Sequence, residues 1–421
     1  MDLTELLKKE MLPAMGCTEP AASALAGAKA REILESPEIE NIEVYASRDM
    51  VKNAMGVGLP NCELKGILAA VALGVAGGQT SKALSILSDV SQQQIETAKK
   101  YSISLILVEN VVPLYVSVKI CSKDGYAIAT VSGEHDRFSH LEKNNQVLVD
   151  LPLEEKESDN NDMEYMKSIS LDEIIKYANE VDVCKLDFID QAIKINMDIA
   201  KHSNSKGFGL EVGKTTSEEV LNPSSLAQAF ELGASLAAAG SDARMSGCSM
   251  PVIINSGSGN QGITVTVPVK TVGTYLKCSD EKILRAVCVS ELVGLALTSR
   301  KNRLSALCGA FTASIGTACA YVYLMDGNRA VMDRAVNTMV GNLTGIICDG
   351  AKSTCALKIY SCLEAAALSV KLAFKGFSPA EESGIVGHDS LESINYLSKI
   401  SSEGMLETDK TIVSIMLNKK C

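Results

Sequence analysis

Small residues fill the C-terminal half of the chain and limit the folds that it can adopt. The long apolar runs there consist mainly of Ala, Gly, Ser and Val, while aromatic residues make up 4% of the 421 residues and Trp is absent. The distance between packed helices depends on the side chains at their contact. These runs therefore predict closely packed helices.

Charge and hydropathy exclude two broad classes of function. The net charge is −11, so the chain offers no general basic surface for nucleic acid, and its scarce aromatics make base stacking improbable. No apolar run reaches the roughly 18 residues of a membrane span. The first residues, MDLTELLKKEMLP, predict an amphipathic helix and not a signal peptide. We expect a cytoplasmic protein that binds neither nucleic acid nor membrane.

The order of the predicted elements indicates an α+β fold. Helices are predicted within residues 1–34 and 65–77, and strands within 41–46, 103–121, 125–133 and 146–152. From Leu171 onward the pattern is mainly helical, except that residues 250–270 predict two short strands around a Gly-rich loop. We expect an N-terminal α+β subdomain over 1–153, an acidic linker or loop over 154–167, and a mainly helical domain over 168–421.

The 13 cysteines raise the question of a metal site. In a reducing cytoplasm most are expected to pack as small hydrophobic side chains. Cys348, Cys355 and Cys362 stand seven residues apart, and the Asp349–Gly350 pair predicts a turn that could bring the first two thiols together. Cys308 could supply a third ligand. The spacing lacks compact C-x-x-C pairs, so simple packing stays open for all of them.

Cys17 lies in the sequence AMGCTEPAA, just before a predicted helix start. Pro20 suits the first turn of a helix, and Thr18 suits its N-cap. A thiol at the positive end of a helix dipole is expected to have a lowered pKa and to act as a nucleophile or general base. A chance cysteine at a tight turn is the alternative.

A second group of polar residues could hold a carboxylate. The loop NSGSGNQG offers Ser256, Ser258 and Asn260 with several backbone N–H groups. Arg244 precedes it and could clamp a carboxylate, and Asn61 lies in the similar loop VGLPNCELKG. A plain Gly-rich turn is the alternative. Among the four histidines no zinc-binding spacing occurs, and His135 is the one that we expect near a pocket.

Taken together, GCTEPAA, NAMGVGLPN, SGSGNQGI and GIICDGAKSTCALK resemble the L-cysteine desulfidase family of serine dehydratase alpha-chain-like proteins. The resemblance extends from Cys17 to about Gly376. It implies a [4Fe-4S] enzyme without pyridoxal phosphate that converts L-cysteine to hydrogen sulfide, ammonia and pyruvate. It also implies that Cys308, Cys348 and Cys355 bind the cluster and that Cys17 accepts a proton.

The resemblance leaves three points open. Related L-serine dehydratases perform the same elimination on serine, so L-serine is the alternative substrate. Some of them place a C-terminal cysteine on the open iron, a role that Cys421 could take; a frayed terminus is the alternative. We expect a homo-oligomer, a dimer, acting on a small amino acid.

Two further hypotheses differ in class. The NSGSGNQG loop superficially resembles a loop of pyridoxal phosphate eliminases. However, residues 221–243 lack the lysine that the Schiff base of such an enzyme would need. A non-enzymatic iron–sulfur sensor would bind the cluster without turning over cysteine.

Overall fold

A computed structural model describes residues 2–36, 38–153, 160–301 and 305–419. Residues 154–159 of the expected acidic linker lie outside the described residues, and so does Cys421. The remainder of that segment belongs to a helix that begins at Asn160. Within the described residues, no helix is both long and apolar enough to cross a membrane.

Strands and helices follow one another in a mixed order. The strands are β1 (Pro13–Ala14), β2 (Asn41–Ser47), β3 (Ile103–Val108), β4 (Tyr115–Ser122), β5 (Gly125–Ser132), β6 (Phe138–Lys143), β7 (Gln146–Asp150) and β8 (Val252–Ile253). The helices are α1 (Leu3–Glu10), α2 (Thr18–Leu34), α3 (Arg48–Ala54), α4 (Gly66–Gly77), α5 (Gln92–Ala98), α6 (Asn160–Ser168), α7 (Leu171–Glu180), α8 (Asp187–Lys206), α9 (Val212–Ser217), α10 (Leu226–Met245), α11 (Gly259–Tyr275), α12 (Asp280–Arg300), α13 (Gly309–Leu324), α14 (Arg329–Leu343), α15 (Thr354–Phe374), α16 (Ser390–Lys399) and α17 (Leu406–Leu417). The α+β class is confirmed.

The N-terminal part is a six-stranded sheet with helices packed against it. The strand order is β3-β2-β4-β5-β6-β7, with β2 and β3 parallel and the other neighbours antiparallel. Helix α2 packs on β4 and β5 and also on α4. A Cβ on Gly74 would lie 2.0 Å from the carbonyl oxygen of Ala24, so the absence of a side chain at this position allows the two helices to approach closely.

Of the two short strands predicted within residues 250–270, the second is wrong. Only β8 forms there, and the segment TVTV that suggests a strand lies inside α11. Burial on all sides of α11 overrides the strand preference of its β-branched residues. The hydroxyls of Thr264 and Thr266 donate to the carbonyls of Asn260 and Gly262, one turn back, which satisfies them within the helix.

A short two-stranded pairing joins the N-terminal segment to the mainly helical part of the chain. In β1 and β8, Pro13 pairs with Ile253 and Ala14 with Val252, antiparallel. The N-terminal segment is thereby anchored to the helical part, where α10, α11, α12, α13 and α15 pack around the largest apolar core. This pairing places the sequence after β1 beside the loop after β8.

Candidate functional site

Cys17 lies at the junction that β1 and β8 create. It is itself the N-cap of α2, which begins at Thr18, one residue earlier than the cap predicted from the sequence. Its side chain belongs to a small apolar cluster with Val57 and Met245, and Cys355 packs against that cluster. Two cysteines far apart in sequence therefore share one environment.

The expectation that Cys17 is a thiolate is wrong for this state of the protein. Burial raises the pKa of the Cys17 thiol to about 11, and the nearby Arg244 opposes this only in part. The position at a helix N-terminus does not compensate for the loss of solvent. Cys17 therefore carries its proton at neutral pH.

Arg244 connects Cys17 to the Gly-rich loop. Its Nη2 donates to the carbonyl oxygen of Gly16 at 3.1 Å, and its Nη1 lies 3.5 Å from Oδ1 of Asn260. A Cβ on Gly259 would lie 2.4 Å from its Nε, so glycine is needed for this approach. The buried Nε has no hydrogen-bond partner among the described residues, which leaves a donor directed at the site.

The Gly-rich loop turns its serines inward. Ser256 has a φ of 52° and donates its hydroxyl to Oδ1 of Asn255 at 2.9 Å. The hydroxyl of Ser258 accepts from the N–H of Gln261 and caps α11. Of the three loop residues predicted to hold a carboxylate, Asn260 is the one whose side chain meets Arg244. The N-terminal N–H groups of α11 stand beside it.

Asn61 does not join this group. It is exposed, has a φ of 57°, and donates its amide to the carbonyl of Ser88 at 2.5 Å. The contact connects two loops at the rim of a cavity of about 40 Å³ that Met15, Cys17, Leu59 and Cys248 help to line. That space is enough for a water molecule or a small substituent beside the Cys17 thiol.

Backbone pairing brings Cys308 and Cys348 close together, because the N–H of Cys308 donates to Ile346 and the N–H of Cys348 donates to Ala306. Leu307 and Ile347 form an isolated antiparallel bridge, which places the two cysteines on neighbouring chain segments. The neighbouring Cys308 side chain is the largest influence that lowers the pKa of Cys348, and the lysines nearby act in the same direction. The pKa of Cys308 is raised in turn, so Cys348 is the thiol of the two that ionises more readily.

Cys355 reaches the same region through the turn predicted at Asp349–Gly350. Gly350 has a φ of 92°, and α15 begins four residues later, as expected. The thiol of Cys355 lies 3.7 Å from the carbonyl oxygen of Gly350, and it interacts electrostatically with Cys308 and Cys17. Cys362, two turns along α15, is fully buried and packs in the core, as predicted.

Four helix N-termini point their positive ends toward these residues. Cys17 and Cys308 are the N-caps of α2 and α13, Cys355 lies in the first turn of α15, and Ser258 caps α11. Unpaired N–H groups at helix N-termini favour negative charge, including thiolates and carboxylates. The arrangement favours anionic groups at its centre.

Three thiols from three segments are a donor set of the kind that binds iron–sulfur clusters. Within the described ranges, no three His, Cys, Asp or Glu side chains are arranged as ready ligands for a single metal ion. Cys308 and Cys348 are free thiols on neighbouring chain segments, while the thiol of Cys355 lies 3.7 Å from a backbone carbonyl oxygen. By chemistry and location the residues fit a thiolate-bound cluster, and they do not form a compact mononuclear site.

The buried charged side chains beside the thiols could not be predicted from the sequence. Lys52 is 1% exposed, and its Nζ lies 2.7 Å from Oδ1 of Asp409 on α17. This ion pair links α3 to the last helix and stands close enough to Cys348 to favour its thiolate. Nothing in the local pattern around Lys52 distinguishes it from a surface lysine.

His135 lies beside the helix that follows Cys17. Its Nε2 is 3.1 Å from the hydroxyl of Thr18, and that hydroxyl is 3.4 Å from Glu19. Asn53 donates to the other oxygen of Glu19 at 3.3 Å. These contacts connect the β5–β6 loop, α2 and α3 around Cys17.

A buried carboxyl supports the Gly-rich loop from below. Asn255 donates its amide to Oε2 of Glu291 at 2.6 Å, and burial raises the pKa of Glu291 to about 8. The other carboxyl oxygen is buried without a partner among the described residues. A protonated Glu291 therefore fixes Asn255, which in turn orients Ser256.

Comparisons with known proteins identify the family of the chain. A family model described as serine dehydratase alpha chain matches residues 70–414. The UPF0597 protein of Parabacteroides distasonis is 36% identical over 427 residues, covering 100% of this chain and 98% of the relative. The UPF0597 protein of Lachnoclostridium phytofermentans is 36% identical, covering 99% of each chain. The UPF0597 protein YhaM of Shigella boydii is 35% identical, covering 98% of this chain and 96% of its own. The chain belongs to the serine dehydratase alpha chain family.

Proposed function

We propose that this chain is an iron–sulfur-dependent lyase that eliminates the β-substituent of L-cysteine. Membership in the serine dehydratase alpha chain family supports a lyase acting on a small amino acid. The main structural support is that Cys17 and Cys355 pack in one group of apolar side chains. Cys308 and Cys348 lie next to this group. In this proposal Cys308, Cys348 and Cys355 hold a [4Fe-4S] cluster.

The cluster, when bound, would supply a Lewis-acidic iron with a position free of protein ligands. The chain's own residues supply the remaining functions. Arg244 and the N-terminal N–H groups of α11 bind the substrate carboxylate, because the free Nε donor and the helix dipole both favour an anion there. Asn260, whose side chain contacts Arg244, helps to orient that carboxylate.

Cys17 takes the proton from Cα. The Cα–H electrons form the Cα–Cβ double bond, and the Cβ–S bond breaks with its electron pair leaving on sulfur. The aminoacrylate product tautomerises to an imine, and water hydrolyses it to pyruvate and ammonia. Because Cys17 is protonated at neutral pH, only its thiolate fraction is active as a base. Arg244, the cation beside Cys17, is the residue that increases that fraction.

L-Serine is the second candidate substrate, and membership in the serine dehydratase alpha chain family favours it. Hydroxide is a poorer leaving group than hydrosulfide, so serine elimination needs more help at the leaving atom. The apolar surroundings of Cys17, with Val57 and Met245, suit a sulfur better than a hydroxyl. This observation puts L-cysteine first.

An anaerobic preparation tests the proposal. We expect a broad absorption band near roughly 400 nm, together with sulfide and pyruvate released from L-cysteine. Pyruvate formed from L-serine alone would replace the desulfidase by a serine dehydratase. A cluster without turnover of either amino acid would favour the non-enzymatic sensor. A colourless protein after reconstitution with iron and sulfide would contradict the desulfidase, the dehydratase and the sensor alike.

A further inference from the structure

Lys301 is a buried ammonium group without a carboxylate partner. It follows α12, is 4% exposed, and among the described residues no carboxylate lies within ion-pair distance of its Nζ. Among the described residues, its Nζ donates one hydrogen bond, a long one of 3.5 Å to the carbonyl oxygen of Leu307. A buried charge without a counter-ion is costly, so its position needs an explanation.

The surroundings of Lys301 point toward the cysteines. Burial lowers the pKa of Lys301, while the thiols of Cys348 and Cys308 are the strongest influences in the opposite direction. Leu307, whose carbonyl it contacts, directly precedes Cys308. The Nζ of Lys301 therefore lies beside the segment that carries Cys308, and the segment that carries Cys348 is paired with it.

Nearby acidic groups are already paired with other cations. Asp409 accepts from Lys52 at 2.7 Å and lies 4.0 Å from Nε of Arg48, while Asp49 lies 3.9 Å from the same Nε. Arg48 and Lys52 therefore account for both carboxylates, and neither of the two is in ion-pair contact with Lys301.

We propose that Lys301 is a positioning residue that supplies the buried counter-charge for the anionic group bound by Cys308, Cys348 and Cys355. The inference rests on the proposed function. Three thiolates outweigh the charge of an oxidised four-iron core, so the bound group is anionic and would complete the ion pair that Lys301 lacks. The residue acts through this charge, and it has no part in proton transfer.

The proposal predicts opposite effects on the empty and the loaded protein. Lys301→Met removes an uncompensated buried charge, so the cluster-free protein should melt at the same temperature or higher. The loaded protein loses its counter-charge, so iron release to a chelator should become about tenfold faster. The midpoint potential of the cluster should become more negative, because adding an electron is harder without the cation.

Lys52→Met is the matched comparison, since Lys52 is equally buried but has Asp409 as its partner. That variant leaves the buried carboxylate of Asp409 with only the more distant Arg48, and we expect a lower melting temperature with and without the cluster. The experiment measures melting temperature, iron release rate and potential for the wild type and both variants, all handled anaerobically.

Two results overturn the inference while leaving the proposed function intact. One is a Lys301→Met protein with wild-type iron release and potential. The other is a cluster-free Lys301→Met protein that melts well below the cluster-free wild type, which would make Lys301 a structural residue of the fold. A wild-type protein that holds no iron after reconstitution contradicts the proposed function itself, and the inference with it.

Discussion

The guanidinium group of Arg244 donates to the carbonyl oxygen of Gly16 at 3.1 Å, across 228 positions of sequence. The contact holds the turn that carries Cys17 against the start of α11. A single side chain thus positions the proposed base relative to the proposed carboxylate site.

Replacing Arg244 should impair catalysis strongly. Arg244→Gln removes the charge that favours the Cys17 thiolate and the donor for the substrate carboxylate. We expect kcat/KM for L-cysteine to fall by about 10²- to 10³-fold, the range for a lost charged donor in an active site. Arg334→Gln is the control, because Arg334 also donates to a backbone carbonyl, that of Ala373, but elsewhere in the fold. Equal losses in the two variants would contradict the role of Arg244.

Gly350 should not tolerate a side chain. Its φ is 92°, and a Cβ would lie 1.8 Å from the carbonyl oxygen of Lys52. Gly350→Ala should lower the free energy of unfolding by about 3 kcal/mol. The matched variant is Gly345→Ala, where a Cβ meets no heavy atom within 4 Å, and we expect a change below about 0.5 kcal/mol. Denaturant unfolding of both proteins measures the difference, and similar values would show that the turn can relax.

Cys355 and Cys362 on α15 should differ in iron binding. Cys355→Ala removes a proposed ligand, so the reconstituted protein should lose most of its iron. Cys362→Ala deletes a buried thiol from the core, at a stability cost of about 1 kcal/mol. It should keep wild-type iron and acid-labile sulfide per chain. Loss of iron in the Cys362 variant, or its retention in the Cys355 variant, would require a different ligand set.

The activity should rise with pH in the alkaline range. The thiolate of Cys17 is the proposed base, and its pKa is raised to about 11, so kcat/KM should increase about tenfold per unit between roughly pH 7 and 9. β-Chloro-L-alanine is the best substrate for this profile, because its leaving group does not titrate. Cys17→Ser should be inactive across the range. A profile that is flat there would exclude Cys17 as the titrating base.

Glu291 should make the protein less stable as pH rises. Its pKa is about 8 when folded and close to 4.5 when unfolded, so the folded state binds the proton more tightly. The contribution of Glu291 to stability is complete below about pH 4.5 and is lost as pH rises through 8, on the order of 4 kcal/mol in total. Glu291→Gln keeps the acceptor for Asn255 and should remove this dependence. The exposed Glu63→Gln is the control; an unchanged slope in the Glu291 variant would contradict the assignment.

The sequence by itself determined the fold class and most of the elements. Periodic apolar residues and turn signals located α2, α4, β2 and the β4–β5 hairpin, because these depend on local patterns. The Asp349–Gly350 turn and the buried position of Cys362 were likewise predictable. The proposed roles of the cysteines rest on a family resemblance, and the structure adds which residues surround them.

Tertiary structure decided the properties that depend on burial and on distant partners. The TVTV segment became a helix because it is enclosed on all sides, and Ser256 turned toward Asn255 because Glu291 lies beneath. Burial also reversed the expected direction of the Cys17 pKa, since desolvation outweighs the helix terminus. Lys301 lies near two thiols and, among the described residues, has no carboxylate partner. This arrangement depends on contacts between distant parts of the chain, which a local sequence pattern does not reveal.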